Sequence, residues 1–186
     1  MVEVPEVGAF LLGAPKCGTT WLAEILTQHP EICVSDPKEP NIVASHKGTF
    51  GRDDSEPDWV EYADCFNGDG LRIDCSVHAM ACPVAPLRVA NNWPNARLII
   101  CLREPVSRTV SHWNMILDTK EDRENSADWS EFRSAWDDSR LSGDTLYGAA
   151  VARWLQHFER DSILLIEANR MRHDASMVLE LSLIHI

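Results

Sequence analysis

The chain reads as an α/β fold, with a mostly parallel central sheet flanked by helices on both faces. Three observations predict it. Strand-like and helix-like segments alternate along the whole length. Three of the strands, Ala9–Leu12, Arg97–Arg103 and Ser162–Ile166, carry continuous apolar runs rather than alternating ones, as strands buried on both faces do. The first of them runs through a glycine-bounded loop directly into a helical pattern of Trp21, Leu22, Ile25 and Leu26.

The remaining elements follow in order. His29-Pro30 stops the first helix, and Ile32–Val34 is a short second strand. Ser35 to Pro40 is a polar turn with two prolines, and residues 44–58 read as an exposed loop. Trp59, Tyr62, Ala63 and Phe66 have helical spacing, closed by Asn67-Gly68. Leu71–Cys75 is a strand, and a helix over 83–93 begins near Pro83. Glu104-Pro105 opens a helix running to about Leu117, with proline near the first helical position, where its missing N–H costs nothing. Asp118 to Ala127 is charged and reads as surface loop. Asp128 with Glu131 has the spacing of a capping box, ahead of a face made by Trp129, Phe132 and Trp136. A helix from Thr145 to Arg160 carries Val151, Trp154, Leu155 and Phe158 on one stripe, and residues 170–181 are helical.

Composition sets bounds on function. The chain has 186 residues, 45% of them hydrophobic and 25% charged, which suits one soluble globular domain over 1–186. A net charge of −12 argues against nucleic acid as a partner, since counterion release needs clustered Lys and Arg. A local positive pocket for a small anion stays compatible with it. Six cysteines without a Cys-x-x-Cys pair read as reduced and mostly buried. No apolar run approaches the roughly 20 residues of a membrane helix, and no leader pattern appears, so the expectation is a cytoplasmic protein without a membrane span.

The chemistry concentrates in Gly13 to Thr20. A tight turn that ends at a helix N-terminus points free backbone N–H groups and the positive end of the helix dipole at one spot. Lys16 adds a full charge there, and Thr19 and Thr20 add hydroxyl donors, so the loop reads as a phosphate site. Cys17 lies in the same loop and reads as a small packing residue rather than a nucleophile, with no histidine nearby in sequence. An ATP-binding loop of the form GxxxxGK[ST] would place lysine directly after the second glycine. Here Gly13 and Gly18 keep that spacing, but Thr19 occupies the lysine position. No apolar strand ends in an aspartate suited to magnesium. Lys16, Glu39 and Arg103 each follow a predicted strand, and would converge on one crevice at the carboxyl ends if those strands are neighbours.

The stretch Ala14-Pro15-Lys16-Cys17-Gly18-Thr19-Thr20-Trp21-Leu22 resembles the 5′-phosphosulfate loop of the PAPS-dependent sulfotransferases, PKxGTTWL. Leu102 to Trp113 resembles their 3′-phosphate motif, LRxPxxRxxSxY. Pro37-Lys38-Glu39-Pro40 matches the KEP turn of the carbohydrate-type and bacterial branch, and Tyr147 to Glu167 resembles a further block of that family. The likeness covers roughly residues 8–180. It implies a P-loop-like three-layer sandwich and a metal-independent, in-line sulfuryl transfer from PAPS to a hydroxyl or amine of a small-molecule or carbohydrate acceptor. It implies that Lys16 neutralises charge on the leaving phosphate and that Cys17, Gly18, Thr19, Thr20 and Trp21 belong to the donor site. Arg103 and Ser111 would hold the 3′-phosphate, and Glu39 would be the general base.

Alternatives stand beside each role. Arg103 could instead pair with Glu104, and Arg108 could assist the phosphate or lie solvated on its helix. Glu39 could be a surface turn residue, with His46 and His78 as rival bases. Trp21 and Trp113 read as packing residues before purine stackers. The residues after the KEP turn, Asn41-Ile42-Val43, depart from the family pattern, and so does Glu104 in place of Asn or Asp. No glycine- and basic-rich closing loop follows Glu167, and Leu181–Ile186 do not continue the family pattern, so the domain is expected to be incomplete at its C-terminus. The rival functions are a P-loop nucleotide kinase and a non-catalytic nucleotide-binding fragment.

Overall fold

The computed structural model describes residues 3–119 and 129–186. Five strands form one parallel sheet: β1 (Ala9–Gly13), β2 (Ile32–Val34), β5 (Leu71–Asp74), β6 (Arg97–Leu102) and β7 (Ile163–Glu167), in the order β2-β5-β1-β6-β7. A separate two-stranded hairpin joins β3 (His46–Lys47) to β4 (Gly51–Arg52). The helices are α1 (Thr19–Leu26), α2 (Trp59–Asp64), α3 (Ala85–Asn92), α4 (Pro105–Asp118), α5 (Phe132–Asp137), α6 (Ser139–Ser142), α7 (Tyr147–Trp154), α8 (Ala168–His173) and α9 (Ala175–His185).

The central position of β1 follows from its composition. All five residues of Ala-Phe-Leu-Leu-Gly are buried, so the strand is covered by helices on both faces and by β5 and β6 on both edges. Each fully buried leucine or phenylalanine there contributes roughly 1.5–3 kcal/mol of transfer free energy. The aligned residues of β6, Leu98 to Cys101, are buried as completely. Because β1 has β5 on one side and β6 on the other, the chain passes over it between those two strands. That arrangement opens a crevice at the carboxyl end of β1, where ligands bind in such sheets.

The sheet order refines the expected convergence. β2 is not the neighbour of β1, because β5 lies between them, so Glu39 reaches the crevice from two strands away. The third apolar run forms an edge strand rather than a buried one: Leu165 in β7 is 52% exposed. The long helix expected over 145–160 ends at Trp154, and Leu155 lies exposed outside the stripe of Ala150, Trp154 and Phe158. The helix expected over 170–181 is two helices, α8 and α9. Residues 44–58 are not simply an exposed loop either. They contain the β3–β4 hairpin, and Ala44, Ser45 and Thr49 are buried beneath it. Asp128 of the expected capping box and most of the expected 118–127 loop lie outside the described residues. Glu131 sits at the N-cap of α5 and makes no side-chain cap bond.

Glu104 settles one alternative. Its carboxylate accepts from Val106 and Ser107 N–H at 2.9 and 2.7 Å, capping α4 rather than pairing with Arg103. β5 does end in an aspartate, Asp74, but it is fully buried. It accepts from the Tyr62 hydroxyl at 2.7 Å and from Ser76 N–H at 2.8 Å, so it faces the interior. Among the described residues, no helix is long and apolar enough to cross a membrane.

Candidate active site

The loop between β1 and α1 is built by two residues with left-handed backbone. Lys16 has φ 66° and Gly18 φ 86°. At Gly18 this conformation favours glycine, and a Cβ there would also lie 2.7 Å from the Met171 sulfur on α8. Gly18 caps α1 without a side chain to occupy the first N–H groups, and the first turn carries no acidic residue. The N-terminus of α1 therefore keeps donors and dipole free for an anion, which is the fit a 5′-phosphate requires.

The loop is tied down from β6. Ala14 N–H donates to the Cys101 carbonyl at 2.8 Å, and Arg103 Nη1 donates to the Lys16 carbonyl at 3.4 Å. The Tyr147 hydroxyl donates to the Arg103 carbonyl at 2.9 Å and stands 3.8 Å from Cys17 Sγ. Cys17 is buried against Tyr147 and Pro15, and burial pushes its thiol pKa up. A thiol held protonated in this way is a packing residue. All six cysteines are free and buried.

Two clefts meet at this loop. One, of about 450 Å³, is lined by Lys16, Gly18, Trp21 and Arg103, and closed by Ala168, Asn169, Met171 and Arg172 of α8. The other, of about 460 Å³, is lined by Pro15, Lys16, Gly18, Thr19, Thr20, Trp21, Glu39, Val77, His78, His112 and Met115. Lys16, Gly18 and Trp21 belong to both. Among the described residues Lys16 has no ion-pair partner; its ammonium lies 3.5 Å from the Met115 sulfur. A cation without a carboxylate, held at the junction of two clefts, is free to answer charge arriving from either side.

Glu39 reaches its cleft through a braced turn. Ser35 Oγ donates to the Lys38 carbonyl at 2.9 Å, Asn41 Nδ2 to the Glu39 carbonyl at 3.0 Å, and Asn41 N–H to Ser76 Oγ at 3.0 Å. The carboxylate pairs with Lys38 Nζ at 2.8 Å, both side chains partly exposed. His78 lines the same cleft. Burial, then the positive charges around it, push its pKa down to about 3, so the imidazole is neutral at pH 7. Its Nδ1 lies 3.8 Å from Asp144 Oδ2. His46 lies outside both clefts, on β3.

Arg108 fits neither of its two expected readings. It is fully buried, with Nη2 donating to the Leu141 carbonyl at 2.7 Å and to Thr109 Oγ1 at 3.1 Å. Its Nη1 lies 3.0 Å from His112 Nδ1 and 3.7 Å from Asp144 Oδ2. The guanidinium is the hub of an interior cluster. Ser111 is partly buried on α4 and lines neither cleft. Trp113 is a packing residue, donating from Nε1 to the Trp129 carbonyl at 2.8 Å, whereas Trp21 packs partly against the core and lines both clefts.

Sequence reasoning missed Asn169, Met171 and Arg172 in the Arg103 cleft, and His112 in the Glu39 cleft. The signal for the first three was the polar, basic run Asn169 to His173 directly after an apolar strand, where the carboxyl edge of a parallel sheet places ligand contacts. His112 had no such signal, since a histidine one residue past Ser111 reads equally as helix surface.

A parallel α/β sheet with an anion loop at the carboxyl end of its central strand defines the P-loop-like class. The chain belongs to the sulfotransferase family: the Sulfotransferase domain model matches residues 8–180. It is similar to mouse heparan sulfate glucosamine 3-O-sulfotransferase 3A1, 24% identical over 183 residues covering 92% of this chain and 43% of that protein. Human heparan sulfate glucosamine 3-O-sulfotransferase 5 is 24% identical over 176 residues, covering 88% and 48%. The chain thus spans less than half the length of these curated relatives. Among solved structures it resembles a sulfotransferase from Alicyclobacillus acidocaldarius, with 26% identity and a TM-score of 0.78 over 98% of this chain and 81% of that one. The fold is also that of mouse sulfotransferase SULT7A1 complexed with PAP, at 20% identity and a TM-score of 0.67, covering 98% and 58%.

Proposed function

We propose that this chain binds PAPS in the cleft shared by Lys16, Arg103 and Arg172, and transfers its sulfuryl group to a hydroxyl or amine of a carbohydrate acceptor in the cleft shared by Lys16 and Glu39. The observation that carries this reading is the position of Lys16, the cation common to both clefts. Family membership and the names of the heparan sulfate relatives support the acceptor class, and the mouse neighbour was solved with PAP.

The donor supplies the sulfuryl group and a bisphosphate leaving group. The protein's part is positioning and charge. Gly18, Thr19 and Thr20 hold the 5′-phosphate through backbone N–H groups and hydroxyls. Lys16 meets the negative charge that grows on the bridging oxygen, an electrostatic contribution specific to the transition state. Arg103, aided by Arg172 from α8, holds the 3′-phosphate, whereas Ser111 lies outside this cleft. Trp21 offers a ring face to the purine. Glu39 accepts the proton of the attacking hydroxyl, with Lys38 beside it orienting the carboxylate.

Calorimetric titration with adenosine 3′,5′-bisphosphate and with ATP, each with and without magnesium, tests the donor half. Metal-independent binding of the bisphosphate, tighter than ATP, is the expected result. A preference for magnesium-bound ATP would overturn the reading in favour of a nucleotide kinase.

A further inference from the structure

Two methionine sulfurs bracket the anion loop. Met171 of α8 leans on Gly18 from the Arg103 cleft and is 7% exposed. Met115 of α4 stands on the other side, in the Glu39 cleft, and is 38% exposed. Its sulfur lies 3.5 Å from the Lys16 ammonium.

The helix sets this position. Arg108, Thr109, His112 and Ile116 are the buried residues of α4, and helical spacing puts Met115 at the edge of the face they make. The last turn is tied back there, the Thr119 hydroxyl donating to the Met115 carbonyl at 3.0 Å. A helix anchored in the core therefore holds the thioether beside Lys16, on a side chain that solvent reaches.

A thioether is a weak acceptor, so the contact draws little on the Lys16 charge. Its reactivity is another matter. When the sulfur attacks a hydroperoxide, an S–O bond forms and the O–O bond breaks. The sulfur gives up two electrons and the peroxide takes them. The proton of the transferred oxygen passes to the leaving oxygen, so hydrogen peroxide ends as water and methionine as its sulfoxide. A peroxide must reach the sulfur to do this. Met80 and Met171, at 1% and 7% exposure, are shielded, Met177 on α9 is half-buried, and the six cysteines are buried as well.

We propose that Met115 is a reversible oxidation site for small hydroperoxides, and that its sulfoxide engages Lys16 and weakens nucleotide binding. The sulfoxide oxygen carries negative charge and accepts strongly from an ammonium, where the thioether barely does. With Nζ already 3.5 Å from the sulfur, a side-chain rotation brings the two together. An ammonium held toward α4 answers the sulfoxide instead of charge arriving in the Arg103 cleft. The effect on nucleotide rests on the donor reading of Lys16, whereas the coupling of the two side chains does not.

Hydrogen peroxide treatment, peptide mass spectrometry and NMR of protein carrying carbon-13 at lysine Cε test this. In protein free of nucleotide, Met115 is expected to gain one oxygen before Met80, Met171 and Met177, and the Lys16 Cε resonance to move with it. Calorimetry with adenosine 3′,5′-bisphosphate is expected to show binding about tenfold weaker after oxidation, as for the loss of one charge-assisted hydrogen bond. Methionine sulfoxide reductases acting on both epimers are expected to restore it. Met115→Leu lacks the sulfur and is expected to keep its own affinity through peroxide treatment. Met115→Gln, which brings an amide oxygen to the same region, is expected to bind the bisphosphate more weakly than Met115→Leu. Earlier oxidation of any of the other three methionines would overturn the site. A Lys16 resonance or an affinity unchanged once Met115 is a sulfoxide, or an equal loss of affinity in peroxide-treated Met115→Leu, would overturn the coupling. Absence of bisphosphate binding by untreated protein would overturn the donor reading instead, and the Lys16 resonance would then decide the coupling alone.

Discussion

The two sides of Lys16 are made differently. The side proposed for the donor is carried by the carboxyl ends of adjacent central strands, β1 and β6, whose residues are buried almost without exception. The side proposed for the acceptor is carried mostly by connections: the braced turn at Glu39 and the segment with Val77 and His78, closed by His112 and Met115 of α4. A phosphate is a fixed shape with fixed charge, and a rigid sheet edge is the cheap way to meet it. An acceptor varies, and loops on a rigid scaffold vary with it.

Substitutions that act on one side only break this comparison most sharply. Glu39→Gln is expected to lower transfer by about 10²–10⁴-fold, with bisphosphate affinity unchanged by calorimetry. Lys16→Ala, which belongs to both sides, is expected to cost about 10²–10³-fold in kcat and to weaken the bisphosphate as well. If Lys16→Ala left binding intact, the ammonium would belong to the acceptor side alone.

Gly18→Ala probes the rigidity of the donor side. Left-handed backbone and the approach of Met171 together are expected to cost about 1–3 kcal/mol, seen as a drop in Tm of roughly 3–10 °C. Adding Met171→Ala is expected to recover part of that loss, because it relieves the contact and leaves the backbone strain. Ser111→Ala is the smallest change expected, with bisphosphate affinity unchanged by calorimetry, since the hydroxyl lies outside both clefts.

Acid sharpens the comparison from the other side. His46, His78 and His112 bind protons less readily when folded, at about 4, 3 and 2 against 6.5 unfolded. Each therefore removes stability as pH falls below 6.5. Asp144 works in the opposite sense, gaining a proton near 6 when folded against 3.8 unfolded, so it adds stability as pH falls through that window. Three imidazoles outweigh one carboxyl. Urea unfolding is expected to show lower stability at about pH 5 than at about pH 7.5, with a shallower dependence in His78→Gln.

The strand, loop and helix around Lys16 were legible in the sequence because their requirements are local. A strand, a glycine that must turn, a lysine and two threonines before a helix lie within a dozen residues, and each has a physical reason to be there. Of the cleft on the other side of Lys16, only Glu39 was singled out beyond the loop itself and His78. His112 and Val77 join it through pairings that no local pattern encodes. Arg108 shows why the rest was hidden: on the helix alone it is a charged residue near a phosphate motif. Its burial depends on Asp144 and Leu141, more than thirty residues away. The edge position of β7 was hidden for the same reason, since an apolar run says that a strand is covered without saying by what.

The contact between Gly18 and Met171 has a consequence for how the molecule is made. The loop proposed to meet the phosphate is made well before the helix that leans on it. A nascent chain carrying β1, α1 and most of the sheet still lacks that wall of the cleft, so a ligand that needs both walls stabilises the fold only after α8 has been made.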